Sequence, residues 1–408
     1  MGTLIIFTIL FYFLVKFFLD IIQIEYIKKV QIKSDELTML NLNNDFIQKS
    51  NSYNTDKLFL SVINLFIQMF ILVLFLFGGG IDYISNFVRS TSINFINFDL
   101  QIILIFFIII NIVNIPLSMY KTFIVEEKYG FNKMKISLFF KDRLISLIIA
   151  LIPIIILFQS FLYLYDNYNN YWWLFTWLLF MIFNIFVILI YPSVISPLFN
   201  KFEKITDEKI LNVIKDLSDE TQFNVTDVFV MDGSKRSSHS NAYFTGLGNV
   251  KRIVFFDTLL EMLSANEIKS VLAHEIGHYK KKHITKSIIM SSIISMITFY
   301  LLYILMNTSS FFVSAGVTII TPASMIISFL LLFPLIEFFL TPLYTYISRK
   351  NEFEADNYAK EYTNKDDLVS SLLKLYKENL SILKPSPIYS KFYYTHPTVF
   401  ERISNLKL

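Results

Sequence analysis

No cysteine occurs in this chain of 408 residues, and that single absence removes disulfides, thiolate metal ligands and a thiol nucleophile together. Histidine is nearly as scarce, with five copies, so imidazole chemistry has few places to sit. Charged residues make up 17% of the chain, and no basic patch is interleaved with aromatics, which argues against nucleic acid as a partner. There is no internal repeat and no long low-complexity tract. Residues 41–55 and 166–170 are rich in Asn and read as solvated loops.

What is there is apolar: 54% of residues are hydrophobic, among them 43 Phe and 23 Tyr. This is the composition of a protein that crosses a lipid bilayer several times. Seven segments are long and apolar enough to span, approximately residues 3–22, 58–78, 100–120, 144–163, 172–196, 287–306 and 323–345. The first lacks a small-residue cleavage pattern and reads as a retained anchor. Of 36 Lys and Arg, 34 fall in residues 23–57, 121–143, 197–286 and beyond 345; the opposite loops hold only Arg89, and Lys16 lies within the first span. By the positive-inside rule the N-terminus is then outside or lumenal, and residues 197–286 and the C-terminus are cytoplasmic. Buried helices of a soluble protein would not alternate in charge this way.

The expected fold is therefore mainly α: a polytopic membrane protein with seven transmembrane helices plus a small α/β domain on the cytoplasmic side. Residues 1–196 supply the first five spans, 197–286 the α/β segment, 287–345 spans six and seven, and 346–408 a cytoplasmic C-terminal segment that completes the site.

The chemistry is concentrated in HEIGH, residues 274–278. Four residues apart on a helix, His274 and His278 project from one face, where both can ligate one zinc ion with Glu275 beside it as general base. Local signals support the helix. Ser264 and Glu267 form a capping box, Ile268, Val271, Leu272 and Ile276 recur at helical spacing, and Lys280, Lys281 and Lys282 close the last turn against the dipole. Such a helix begins and ends in a polar environment, unlike an HExxH buried inside a span.

Upstream, Thr206 to Leu217 reads as a helix and Val225 to Met231 as a strand. Asn241 to Thr245 and Arg252 to Phe256 read as two strands joined by a turn around Gly246 and Gly248. Asn241, Ala242, Tyr243 and Phe244 are the candidate edge strand on which an extended substrate peptide would pair. A third metal ligand is needed, and SRKNEFEAD at 348–356 offers carboxylates on the expected continuation of the seventh span. Glu352 and Asp356, four apart, share a face; one can ligate while the other accepts an N–H from a ligating histidine, and spacing does not choose between them. Glu354 points elsewhere. Near the C-terminus, YYTHPTVFER provides His396 and Arg402 as candidates to meet an oxyanion. His239 and His283 read as loop or helix-end residues rather than ligands. Glu337 in the seventh span and Lys16 in the first are either functional or, respectively, internally hydrogen-bonded and snorkelling.

Several passages together resemble the type I CAAX prenyl endopeptidases, integral membrane zinc proteases that remove the last three residues of prenylated proteins. They are YKTFIVEEKYGFNK at 120–133, YPSVISPLFNKF at 191–202, SNAYFTGLGNVKRIVFFDTLL at 240–260, HEIGH, SRKNEFEAD and HPTVFER. The resemblance implies Zn2+, one per chain, held by His274, His278 and Glu352, with Asp356 behind a histidine and with Asn241, His396 and Arg402 on the peptide or its oxyanion. It also implies seven helices enclosing an intramembrane chamber, prenylated CAAX proteins as substrates, and residence in the endoplasmic reticulum or inner nuclear membrane. A monomer is expected. Two other readings compete: a membrane quality-control zinc protease of the HtpX-like kind, with fewer spans, and a catalytically idle scaffold or transporter. A scaffold has no use for Glu275 beside two histidines.

Overall fold

A chain in lipid can satisfy its backbone only within itself, so long apolar runs become helices. The computed structural model describes residues 1–407 apart from 33, 35, 36, 38, 39, 41, 92–94, 224–226 and 246–251. Seven helical stretches in it are long and apolar enough to cross a membrane. The first five are built on α1 (Gly2–Lys29), α2 (Asn44–Leu76), α3 (Phe98–Val113), α4 (Ile136–Asn167) and α5 (Trp172–Ile190). Phe66, Phe70, Ile152, Ile182 and Ile297 lie exposed on the outward faces of the spans, the arrangement a lipid solvent favours.

The Asn-rich stretch at 41–55 departs from expectation. From residue 44 it forms the first turns of α2, capped by Asn43, whose Oδ1 accepts the Phe46 N–H at 2.9 Å. Ser50 Oγ and Asn54 Nδ2 donate to the Leu380 carbonyl at 3.0 and 2.7 Å, so these polar residues serve another chain segment rather than water.

After α5, the chain forms β1 (Phe202–Lys204), α6 (Glu208–Thr221), β2 (Asp227–Met231), β3 (Ala242–Thr245) and β4 (Arg252–Phe256). The sheet order is β1-β2-β4-β3, with β2 and β4 parallel and the outer pairs antiparallel. Strand β1, three residues long, was not expected from the sequence. β3 is an edge strand, as expected; the proposed Gly246–Gly248 turn lies outside the described residues. The lobe is tied to the spans by Arg236, whose Nε donates to Asp142 Oδ2 at 2.8 Å, and by a short pairing of Asn132 with Ser237.

The HEIGH helix, α7 (Ala265–Lys280), starts at the expected capping box: Glu267 N–H donates to Ser264 Oγ at 3.4 Å and Ser264 N–H to Glu267 Oε2 at 2.7 Å. Lys280 ends α7, Lys281 caps it, and Lys282 takes a left-handed conformation with φ 58°. The sixth span, α8 (His283–Met306), starts at the next residue. The seventh begins as α9 (Pro322–Glu337), passes through a 3-10 turn at Phe338–Leu340, and continues as α10 (Thr341–Tyr362). Pro342 has no N–H for the preceding turn, which accounts for the interruption. Thus α10 runs on from the seventh span, while α7 leads into the sixth across the turn at Lys281 and Lys282. α11 (Lys365–Glu378) and α12 (Val399–Lys407) complete the lobe, whose core joins Ile253 and Phe255 of the sheet to Leu272 and Ile276 of α7 and Ala359 of α10.

Candidate active site

Helices α7 and α10 pack against each other through their smallest residues. A Cβ on Gly277 would lie 3.1 Å from the Ala355 Cα and 3.2 Å from its carbonyl oxygen, so glycine permits this approach. At that separation the side chains one turn away converge. His278 Nε2 is 3.1 Å from His274 Nε2 and 3.3 Å from Glu352 Oε1, and His274 Nε2 is 3.4 Å from Glu352 Oε2.

Spacing left Glu352 and Asp356 as alternatives, and the structure separates them. Glu352 faces both Nε2 atoms, whereas Asp356 lies behind His274, accepting its Nδ1–H at 2.9 Å. Arg402 of α12 fixes Asp356 in turn, its Nε donating at 2.8 Å and its Nη2 at 2.5 Å to the two carboxylate oxygens. Asp356 and Arg402 are buried. Glu352 Oε2 is buried with no hydrogen-bond partner; His274 Nε2 stands 3.4 Å and Arg402 Nη1 3.8 Å from it, and His278 Nε2 faces the other carboxylate oxygen. An unpartnered carboxylate oxygen and two convergent imidazole nitrogens are what a cation would satisfy, and His274, His278 and Glu352 have the donor atoms and proximity of a metal site.

His396 approaches from the other side, with Nε2 3.3 Å from Glu352 Oε1. It is brought there by the preceding short helix, Pro387–Tyr393, which folds back on α10. Thr345 Oγ1 donates to the Lys391 carbonyl at 2.9 Å and Arg349 Nη1 to that of Ser390 at 3.0 Å. Glu275 sits between the histidines, and burial raises its carboxyl above the ordinary glutamate range.

Two cavities meet here. One, about 820 Å³, is lined by Phe180 and Ile185 of α5, Ile288 and Ile294 of α8, and Phe333 and Glu337 of α9. The other, about 610 Å³, is lined by Asn241 and Ala242 at the start of β3, together with Leu372, Tyr376 and Arg402. His274, Glu275, Glu352 and His396 border both. The Asn241 carbonyl accepts the Phe256 N–H at 3.0 Å, and Tyr243 and Phe244 pair with Val254 and Ile253, so the other edge of β3 is open to an extended chain.

Glu337 borders the first cavity, while Lys16 donates to the Tyr12 hydroxyl at 3.3 Å within the first span. His239 sits at a junction, with Nδ1 3.0 Å from Asn379 Oδ1 and Nε2 3.3 Å from Glu126 Oε2, both acceptor oxygens. His283 begins α8, a helix end as expected, yet it is no surface residue: it is buried against His278 and Glu354. The sequence signal for that contact was only a fifth-residue spacing from His278, which a straight helix would not bring together.

Known proteins share both sequence and fold with this chain. Residues 204–408 match the model of peptidase family M48, and residues 23–201 match that of the CAAX prenyl protease N-terminal region, five membrane helices. CAAX prenyl protease 1 of Saccharomyces cerevisiae is 38% identical over 315 residues, 72% of this chain and 69% of that protein. The CAAX prenyl protease 1 homolog of Mus musculus is 30% identical over 421 residues, 90% and 87% of the two chains. The crystal structure of S. mikatae Ste24p superposes with a TM-score of 0.93 at 31% identity, covering 100% of this chain and 99% of that one.

Proposed function

The chain belongs to peptidase family M48, as a membrane metalloprotease, and from that premise we propose that it is a zinc-dependent endopeptidase that removes the C-terminal three residues of prenylated CAAX proteins. The observation that carries this reading is the position of His274, Glu275 and Glu352 where an apolar cavity between membrane spans meets a second cavity beside an open strand edge. A prenyl chain gains about 0.8 kcal/mol per buried methylene, so the first cavity suits the lipid. The edge of β3, with Asn241, Ala242, Tyr243 and Phe244, suits the peptide backbone.

His274, His278 and Glu352 would hold the zinc, a two-nitrogen, one-oxygen donor set that suits this ion. Zinc bound there supplies Lewis acidity toward water and the scissile carbonyl. Glu275 takes the proton of the attacking water and delivers it to the leaving amine. His396, which borders both cavities, donates to the oxyanion. Arg402 borders only the second, and with Nε and Nη2 on Asp356 it serves the oxyanion chiefly by fixing Asp356 and His274. The same reading places the protein as a monomer in the endoplasmic reticulum membrane with this site toward the cytoplasm, where prenylated C-termini are presented; the division of positive charge supports that orientation.

The test is turnover of a farnesylated CAAX peptide against its unprenylated twin by the purified protein. Release of the last three residues from the farnesylated peptide alone, or much faster, is the expected outcome. Equal turnover of the two would remove the lipid from the proposal, and cleavage of neither would remove the substrate class.

A further inference from the structure

The HExxH pattern accounts for one nitrogen of His278 and leaves the other unexplained. Nδ1 of His278 lies 2.9 Å from Nδ1 of His283, and Nε2 of His283 lies 3.1 Å from Oε2 of Glu354. His283 is 4% exposed, so its ring is shielded from bulk water between His278 and the partly exposed Glu354. It reaches back to His278 because the chain reverses at Lys282, whose φ of 58° puts it in the left-handed region. Glu354 reaches in from α10, two residues from Glu352, and Lys286 Nζ stands 3.8 Å from the same carboxylate oxygen.

Hydrogen counting fixes the direction of this chain of contacts. A carboxylate offers only acceptors, so the hydrogen between His283 and Glu354 sits on His283 Nε2. A neutral imidazole carries one N–H, which leaves Nδ1 of His283 as a lone pair that accepts the Nδ1–H of His278. His278 then has its lone pair on Nε2, the nitrogen that faces His274 and Glu352. From these contacts we infer that Glu354 and His283 are positioning residues, a relay that sets the tautomer and ring plane of His278 and so presents its Nε2 to the metal. The inference rests on the zinc reading above. It gives each histidine its own carboxylate on α10: Asp356 acts on His274 directly, and Glu354 acts on His278 through an imidazole.

The experiment measures zinc affinity of the full-length detergent-purified protein by chelator competition, with the visible spectrum of the cobalt-substituted form as a reporter of ligand geometry. His283→Leu and Glu354→Ala are each expected to weaken zinc by about 10- to 100-fold and to shift the cobalt bands. His283→Gln should recover most of the affinity, since its amide oxygen accepts from His278 while its NH2 donates to Glu354. Glu354→Ala, a change at a partly exposed side chain, reads the relay should His283→Leu fail to fold. If His283 only joined α7 to α8, His283→Leu would lower the melting temperature of the metal-free protein and leave zinc affinity unchanged, which would overturn the relay. Equal losses in His283→Gln and His283→Leu would overturn the hydrogen-bond assignment. Glu352→Ala separates the two levels: zinc held there at wild-type affinity would overturn the site reading itself, whereas zinc lost there but unchanged in both relay variants would overturn the relay alone.

Discussion

Glu275 is where binding and chemistry separate, because it lies among the metal-site side chains without being one of the three donors. Burial raises its carboxyl, which brings its basicity closer to what proton transfer near neutral pH requires. Glu275→Gln keeps the shape but cannot take a proton, so zinc content should stay full while turnover falls by about 100-fold or more. Wild-type turnover in that variant, with zinc confirmed, would assign the base to another group. His274 makes a second prediction. Burial disfavours its imidazolium, yet the hydrogen bond to Asp356 and the nearby Glu352 carboxylate outweigh that and raise it to about 9 in the metal-free chain. A metal takes the imidazole without this proton, so below about pH 9 loading releases a proton and affinity falls as pH is lowered; above that value this group adds no further dependence. Zinc titrations by calorimetry near neutral pH, in two buffers of different ionisation enthalpy, measure the release. Proton uptake, or no exchange, would contradict it.

Between elements, the contact of α7 with α10 brings His274, His278 and Glu352 together, and Gly277 permits the contact. Its absent Cβ would meet the Ala355 Cα and the Tyr358 Cβ, both at 3.1 Å, and two helix backbones cannot yield cheaply. Gly277→Val is therefore expected to lower stability by about 1–3 kcal/mol through overpacking. It should also weaken zinc binding, although the residue touches no metal. Wild-type zinc affinity in a folded Gly277→Val protein would show that the close approach is not what aligns Glu352. At this scale the sequence was partly legible. The capping box at Ser264 and Glu267 is local and reads directly. The Asn-rich start of α2 does not, because the carbonyl that Ser50 and Asn54 serve belongs to Leu380, more than 300 residues away.

For the whole molecule, α10 continues span seven and α7 joins span six across the turn at Lys281 and Lys282, so the side of the membrane the site reaches is set when those spans insert. By the positive-inside rule, the distribution of Lys and Arg predicts that this side is the cytoplasm. A reporter inserted near Arg89 or in the 166–170 turn should be lumenal or external, and one near Lys235 cytoplasmic. Protease protection that placed the HEIGH lobe on the lumenal side would remove the topology and the prenylated substrate class together.

The spans, their charge asymmetry, the HExxH helix and the pair Glu352 and Asp356 were all readable from the chain, since hydrophobic length, charge and helical spacing are local quantities. Only tertiary structure decided which carboxylate faces the histidines. The rotation of α10 against α7 is fixed by packing at Gly277 and Ala355 and by the grip of Arg402 on Asp356. The pairing of His278 with His283 and Glu354 was likewise invisible, because it depends on a left-handed residue at Lys282 that turns α8 back on the site. Periodicity gives the face a side chain occupies on its own helix; which atom it meets is set by how that helix is turned against the next.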